Sequence, residues 1–551
     1  MKGALAAPLV FLGAAIAAWG SSQPSPAIWI LAIAFLAAAW IQAGRTAPGF
    51  TPLALAIWAY VAWTVASTGF FSAVYNPAGL FDPVFLLVGF SLGRASEEAG
   101  RQRTFALFAT GAAMLAVWAL GQVSLGLGRG QALFETPNTL ASVLNLMLVP
   151  AVVLVASGLR GRKLGLLVTL LFAGLCATFS RGAAIALVIG LIVSLAVFNP
   201  QGVRWRHMAR VGVLFFAGAA LTAVAVGLRA WLHTQDGGQP LFPPFGSVSA
   251  RLELYALAWQ SAMEHLCCGV GYLGFRMILE AGRALVPSYG ETHITYFVHN
   301  DYLQVLLELG APGLLALIAV VLLPFIIALR AMPARQEDRR IIAAVIGALA
   351  ATAVHAMGDF PLHVPICLLL FGMYLGAAER LLAPAQALAA RWCNPAARIA
   401  QILLSASFIT LLGRPVVAEG AVAYAMKKWQ QGEGRAAAFG FELARRLESR
   451  DWRYHLYAGQ FWFSEAAVGG KPDAAQLADE AFAAGIRSNR FDTADRLGRV
   501  FTQIRFGALL AAPVGADTLR KWADEALTFA PLNPAVRKEH AEILRQLEAK
   551  R

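Results

Sequence analysis

Three side chains in this sequence have the types and settings that group-transfer chemistry uses. His299 opens the run His299-Asn300-Asp301-Tyr302 at the start of an apolar stretch. An imidazole exchanges a proton near neutral pH, and Asp301 or a backbone carbonyl could orient its ring. An interface histidine without catalytic duty is the competing reading. Arg181 lies in Thr178-Phe179-Ser180-Arg181-Gly182, a polar break between two apolar runs. There it either holds an anion or snorkels to lipid phosphates. Ser249 predicts the cap of a helix whose apolar face is Leu252, Tyr255, Trp259, Met263 and Leu266, at three- or four-residue spacing. Arg251 then stands in the first turn, facing the polar side beside free helix amides, where a guanidinium fork fits a phosphate. A salt bridge to Glu253 or Glu264 is the alternative use. His355 and Asp359 form a further pair four residues apart. They read as structural, with Asp359 capping a turn and His355 bonded inside the surrounding helices.

The elements that must position these groups are membrane-length helices. The chain has 551 residues, 58% hydrophobic and 14% charged, with mean hydropathy +0.60. Apolar runs from Ala4–Gly20 to Ile399–Leu412 give about thirteen candidate spans of bilayer length. Lys2, Arg45, Arg94, Arg101, Arg103, Arg160, Arg162, Lys163, Arg204, Arg206, Arg210, Arg330, Arg335, Arg339, Arg340, Arg380, Arg391 and Arg398 fall on one set of alternate loops, the positive-inside pattern. The net charge of +13 therefore reads as topology, and no basic-aromatic pattern points to nucleic acid. The first segment resembles a secretory signal, with small residues at Ala17 and Ala18, but reads as a signal anchor. The cysteines Cys176, Cys267, Cys268, Cys367 and Cys393 lack metal-site or disulfide spacing and read as packing residues.

The organisation expected is an all-α polytopic bundle of about 12–13 helices in three parts. Residues 1–130 are N-terminal spans, 131–415 a membrane core with a large polar loop at 232–298, and 416–551 a helical tail. That loop carries Arg251, His265, Arg276, Arg283, His293 and His299 on the face away from the basic loops. In the tail, Asp451, Pro472, Asp492 and Pro534 mark helix starts, and Gly434 and Gly469–Gly470 mark ends. Ala478-Asp479-Glu480-Ala481 is echoed by Ala523-Asp524-Glu525-Ala526. This resembles helix-pair repeats of the tetratricopeptide type, at a longer spacing than their period of ~34 residues.

Taken in order, Phe134-Glu135-Thr136-Pro137-Asn138, Phe179-Ser180-Arg181-Gly182, the Arg251 helix, Gly269-Val270-Gly271-Tyr272, His299-Asn300-Asp301-Tyr302 and Glu308-Leu309-Gly310 resemble the O-antigen ligase and polymerase superfamily. That superfamily includes bacterial protein O-oligosaccharyltransferases. Cys267-Cys268 stand where relatives often carry His-Pro. The resemblance implies a metal-independent, inverting glycosyltransferase with no cofactor, in the bacterial inner membrane, its large loop and tail in the periplasm. Its donor would be an undecaprenyl-pyrophosphate-linked glycan, and its acceptor a glycan, lipid A core or protein. By the same resemblance His299 would be the base, and Arg181 and Arg251 would hold the pyrophosphate. Asn138, Asn300 and Asp301 would support them. Tyr255, Trp259, Tyr272, Tyr289 and Tyr296 would stack on sugars or sit at the membrane interface. The tail is a candidate contact for polysaccharide-assembly proteins. Two rivals remain from the residues alone. A transporter or flippase predicts internal repeats and mid-span charge, and a scaffold predicts function through the tail.

Overall fold

The computed structural model describes residues 6–21, 25–42, 51–96, 98–198, 205–233, 241, 248–289, 295–332, 336–382 and 395–549. Lys2, Arg45, Arg204, His293, Arg335, Arg391 and Cys393 lie outside them, as do the side chains of Tyr289 and Arg398. Among the described residues the regular elements are helices.

The membrane part runs α1 (Ala6–Gly20), α2 (Pro26–Gln42), α3 (Pro52–Ala66), α4 (Ala78–Ala95), α5 (Glu98–Ser124), α6 (Pro137–Ala156), α7 (Arg162–Ala177), α8 (Arg181–Phe198) and α9 (Trp205–Leu232). After the loop helices α10 (Val248–Glu264) and α11 (Phe275–Ala281) come α12 (Asp301–Arg330), α13 (Gln336–His355) and α14 (Pro365–Leu382). Among the described residues, 8 helices are long and apolar enough to cross a membrane: α3 with its helical continuation to Phe71, α4, α5, α6, α8, α9, α12 and α14. The other expected spans differ in kind. The helices α1, α2 and α7 are shorter (15, 17 and 16 residues), and α13 opens on Gln-Glu-Asp-Arg-Arg. The last expected span lies within a helix at Pro395–Gln430.

Burial separates centre from rim. The apolar window of α6 is 94% buried and that of α9 only 22%, so α6 is central and α9 faces out. Among the described helices α4 and α14 share the most extensive packing. Gly89 and Gly93 on one face Gly372 and Gly376 on the other, and a Cβ at any of the four would collide with the partner's backbone. Between apolar helices in lipid, such small-residue contacts replace the missing hydrophobic drive.

One span is broken, and the break receives the segment that follows α10. Helix α12 departs from helical geometry at Gly310, with φ +70° and ψ −174°. Backbone of this kind is tolerated at membrane depth only where protein satisfies it. Here Val270 N and Gly271 N donate to Leu307 O and Glu308 O at 2.9 and 3.0 Å, Trp63 Nε1 donates to Leu309 O at 2.8 Å, and Ala311 N donates to Leu266 O at 2.7 Å. Gly269 has φ +71°, and a Cβ there would strike the Glu308 carbonyl. Gly269-Val270-Gly271 thus docks against Glu308-Leu309-Gly310, which explains physically why both stretches carry glycine.

Beyond Leu382, the helix Pro395–Gln430 runs through Pro415, so the change in composition near Arg414 falls inside one helix. Helices at Gly434–Leu447, Trp452–Gly469, Pro472–Ser488, Thr493–Phe506, Ala516–Phe529 and Pro534–Ala549 follow, each packed on the next. Asp451 and Asp492 cap their helices and Gly470 ends one in the left-handed conformation. Gly434 instead opens a helix, because the preceding one already stops at Gln430 and turns through Gly432 at φ +76°. In the echoed motifs Ala478, Ala481, Ala523 and Ala526 are all buried, where small residues let helices approach. The tail grips the connection after α3. Tyr75 donates to Glu448 at 2.6 Å, Arg450 donates to the Ser72 carbonyl at 2.7 Å, and an isolated bridge joins Val74 to Asn489.

Candidate functional site

Helix ends and turns from five parts of the chain meet at one end of the bundle. Thr136 caps α6 by accepting from Thr139 N at 3.2 Å, which sets Asn138 in the first turn. Phe179, held at φ +51°, reverses the chain between α7 and α8 so that Arg181 starts α8. Asn145 on α6 donates to Ala183 O at 2.9 Å and fixes that start. Asn300 caps α12 through Leu303 N at 3.1 Å, so His299 sits just ahead of the helix at φ +62°. Left-handed backbone at a side chain with Cβ carries strain and persists only where its surroundings impose it. Here Tyr255 of α10 donates to the His299 carbonyl at 2.7 Å. Phe297 also stacks on Phe360 with centroids 3.8 Å apart.

The turn between α13 and α14 completes the cluster. Asp359 is 3% exposed. Its Oδ1 lies 3.4 Å from His299 Nδ1 and also accepts from Phe360 N at 3.1 Å, and its Oδ2 lies 3.7 Å from His355 Nε2. The sequence offered Asp301 as the partner of His299, but the structure engages it elsewhere. Asp301 accepts from Leu362 N at 2.8 Å and from His363 Nδ1 at 2.5 Å, deep in the bundle. Burial works against the Asp359 charge. The hydrogen bond from His299, then the charges of His299, His355 and Arg251, outweigh burial and hold its carboxyl below the usual range. A neutral His299 that donates Nδ1–H to Asp359 would keep a lone pair on Nε2, the tautomer a general base needs. His355 is buried with Nδ1 2.8 Å from Ser142 Oγ, inside the bundle as expected, and it also approaches Asp359.

Arg251 and Arg129 lie close enough to Asp359 for their charges to reach it, and Arg181 lies close enough to act on Arg129. Arg251 is half-buried, and its Nε is buried without a hydrogen-bond partner. Glu253, its alternative partner, instead accepts from Ser288 N and Oγ at 3.0 and 2.6 Å. Arg181 is exposed at the head of α8. Sequence reasoning passed over Arg129. Its Nε donates to Thr178 O at 2.7 Å and Nη2 to Asn138 Oδ1 at 3.2 Å. Burial, then the nearby charges of Arg251 and Arg181, lower its proton affinity, while Asp359 opposes them. The available signal was its place in the polar connection just before Phe134-Glu135-Thr136.

Other expected residues sit differently. Tyr272 is 1% exposed and donates to Asp82 at 2.8 Å, so it faces the bundle interior and not an open site. Trp259 is 56% exposed on α10. The face that α10 buries is Ala250, Leu254, Leu257, Ala258 and Ala262, not the bulky stripe read from sequence. Leu252, Trp259, Met263 and Leu266 point outward. Alanine allows the closer approach to α12, and large side chains on the other side stay free.

Residues 166–318 match the family model described as O-antigen ligase. The match supports the O-antigen ligase and polymerase superfamily. This ligase-type segment contains Arg181, Arg251 and His299, whereas Arg129, Asn138, His355 and Asp359 lie outside it. With the apolar helices it supports a multi-pass membrane protein of O-antigen ligase or polymerase type. A search of curated proteins gave no match.

Proposed function

We propose that the protein is a glycosyltransferase that moves or polymerises an undecaprenyl-pyrophosphate-linked glycan at the membrane surface bearing His299. His299 Nε2 takes the proton of an acceptor hydroxyl as that oxygen attacks the anomeric carbon from the side opposite the phosphate. The bond from the anomeric carbon to phosphate oxygen breaks, its electrons leave with the pyrophosphate, and the centre inverts. Arg181, Arg251 and Arg129 receive the developing charge, the kind of fixed electrostatic stabilisation that lowers a barrier without proton transfer. Asp359 holds the His299 ring and balances the imidazolium. No step needs a metal.

The observation that carries this reading is the convergence of a histidine–carboxylate pair and three arginines on one bundle end, with two of the arginines and the histidine inside the ligase-type match. Residues 131–415 would be the transferase core, 1–130 supporting spans, and 416–551 a tail on the same side. The tail's grip on Ser72 and Tyr75 supports that last placement. The inner membrane and its periplasmic face are the location this chemistry requires. The acceptor is a growing glycan, lipid A core or protein.

The test is the length distribution of lipid-linked and released glycan in a deletion strain carrying wild type or His299→Ala at equal membrane abundance. Single lipid-linked repeats accumulating with the variant identify a polymerase. Long lipid-linked chains identify a ligase or protein-glycosylating transferase. Wild-type glycan from the variant would refute the role of His299.

A further inference from the structure

At the opposite end of the same helices lies a cavity of about 440 Å³, within the range of pockets that take a small organic group, roughly 300–1,000 Å³. Its walls are mostly apolar, including Phe105, Phe108, Met147 and Tyr374, while Arg101 and Arg340 line it beside Glu98 and Glu337. The single hydroxyl of Tyr374 is already committed, donating to Leu146 O at 2.6 Å, so its ring serves as wall.

Two observations make the polar part a site for an anion. Arg340 has a buried Nε with no hydrogen-bond partner. Arg380 lies close enough to Arg101 for their like charges to repel, with Glu98 and Asp338 acting against that repulsion. Guanidinium groups crowded together beside an apolar cavity complement a phosphate attached to hydrocarbon.

Helix α6 starts at the Asn138 end and reaches the cavity at Pro150 and Leu154, and α13 carries Arg340 at its start and His355 at its end. About 20 helical residues span ~30 Å, the thickness of the hydrocarbon core. The cavity therefore opens at the other bilayer surface, away from the glycosyl-transfer cluster. Basic pockets between helices at a membrane surface take phospholipid headgroups.

We infer that this cavity binds one phospholipid, its phosphate between Arg101 and Arg340 and an acyl chain against Phe105, Phe108 and Met147. The inference does not depend on the proposed transferase reaction, and its test reads binding alone. The delipidated full-length protein in detergent would be titrated separately with phosphatidylglycerol, phosphatidylethanolamine and diacylglycerol, with bound lipid counted by native mass spectrometry.

Wild type is expected to hold one phospholipid and no diacylglycerol. The double variant Arg101→Gln/Arg340→Gln should lower occupancy at least fivefold, as should Ala344→Trp, which fills the cavity. Preference for phosphatidylethanolamine would assign Glu98 and Glu337 to its ammonium, and preference for phosphatidylglycerol would assign the arginines alone. Equal occupancy in wild type and the arginine variant overturns the inference, as does equal binding of diacylglycerol. If Ala344→Trp does not fold, the arginine variant, checked by its lipid-free melting temperature, decides.

Discussion

His299 and Asp359 meet with Nδ1 3.4 Å from Oδ1, although 60 positions separate them in the chain. The contact joins the cap of α12 to the turn before α14, and Phe297 stacked on Phe360 clamps the two beside it. His299 is held there in left-handed backbone at φ +62°, with its carbonyl accepting from Tyr255.

Asp359→Asn keeps the size of the side chain but removes its charge and its firm choice of His299 tautomer. In a transfer assay with purified protein, kcat should fall about 10²–10⁴-fold with KM for the lipid-linked donor little changed. The effect should not add to that of His299→Ala, because both act through one proton transfer. Additive losses would show that Asp359 supports only the turn.

Arg129→Ala should mainly weaken donor binding. Losing a charge-assisted contact of roughly 1.5–3 kcal/mol corresponds to a rise of about 10–150-fold in KM, with Arg129→Lys restoring part of it. Inorganic pyrophosphate should inhibit Arg129→Ala less strongly than wild type. If its inhibition constant is unchanged, Arg129 serves only to hold Thr178 and Asn138 in place.

The fold beneath the site should depend on His363. It is buried between Asp301 and Glu308, with Nδ1 2.5 Å from Asp301 and Nε2 3.5 Å from Glu308. Burial disfavours its cation, but the hydrogen bond and charge of Asp301, followed by the charge of Glu308, push its pKa up to about 10. A group raised on folding stabilises fully below its unfolded value near 6.5, and that stability is lost as pH rises through its folded value. The melting temperature in detergent should therefore decline between about pH 6.5 and 10. His363→Gln should flatten that decline while costing about 3–5 kcal/mol near neutrality, since two buried carboxylates lose their counter-charge. A slope identical in both proteins would exclude His363 as its source.

How much could be read before folding is clear from particular residues. Hydropathy alone determined an all-helical membrane bundle with helices near their expected places, because a span must satisfy its own backbone and be long enough to cross. Order and residue type pointed to Arg181, Arg251 and His299, and the ligase-type match covers all three. Local signals also set the caps at Asp451 and Asp492, since a cap needs only its own next turn.

What depended on distant partners stayed hidden. Asp301 is adjacent to His299 in sequence, yet at the start of α12 its carboxylate accepts from Leu362 and His363, and Asp359 takes the place beside His299. The buried face of α10 is its alanine side because α12 and α11 press there, a fact absent from the helix's own periodicity. Arg129 became visible only when the loop before α6 brought it to Thr178 and Asn138. Sequence spacing determines which residues share a helix face. Only the packing of one helix on another decides which face is covered and which charge meets which.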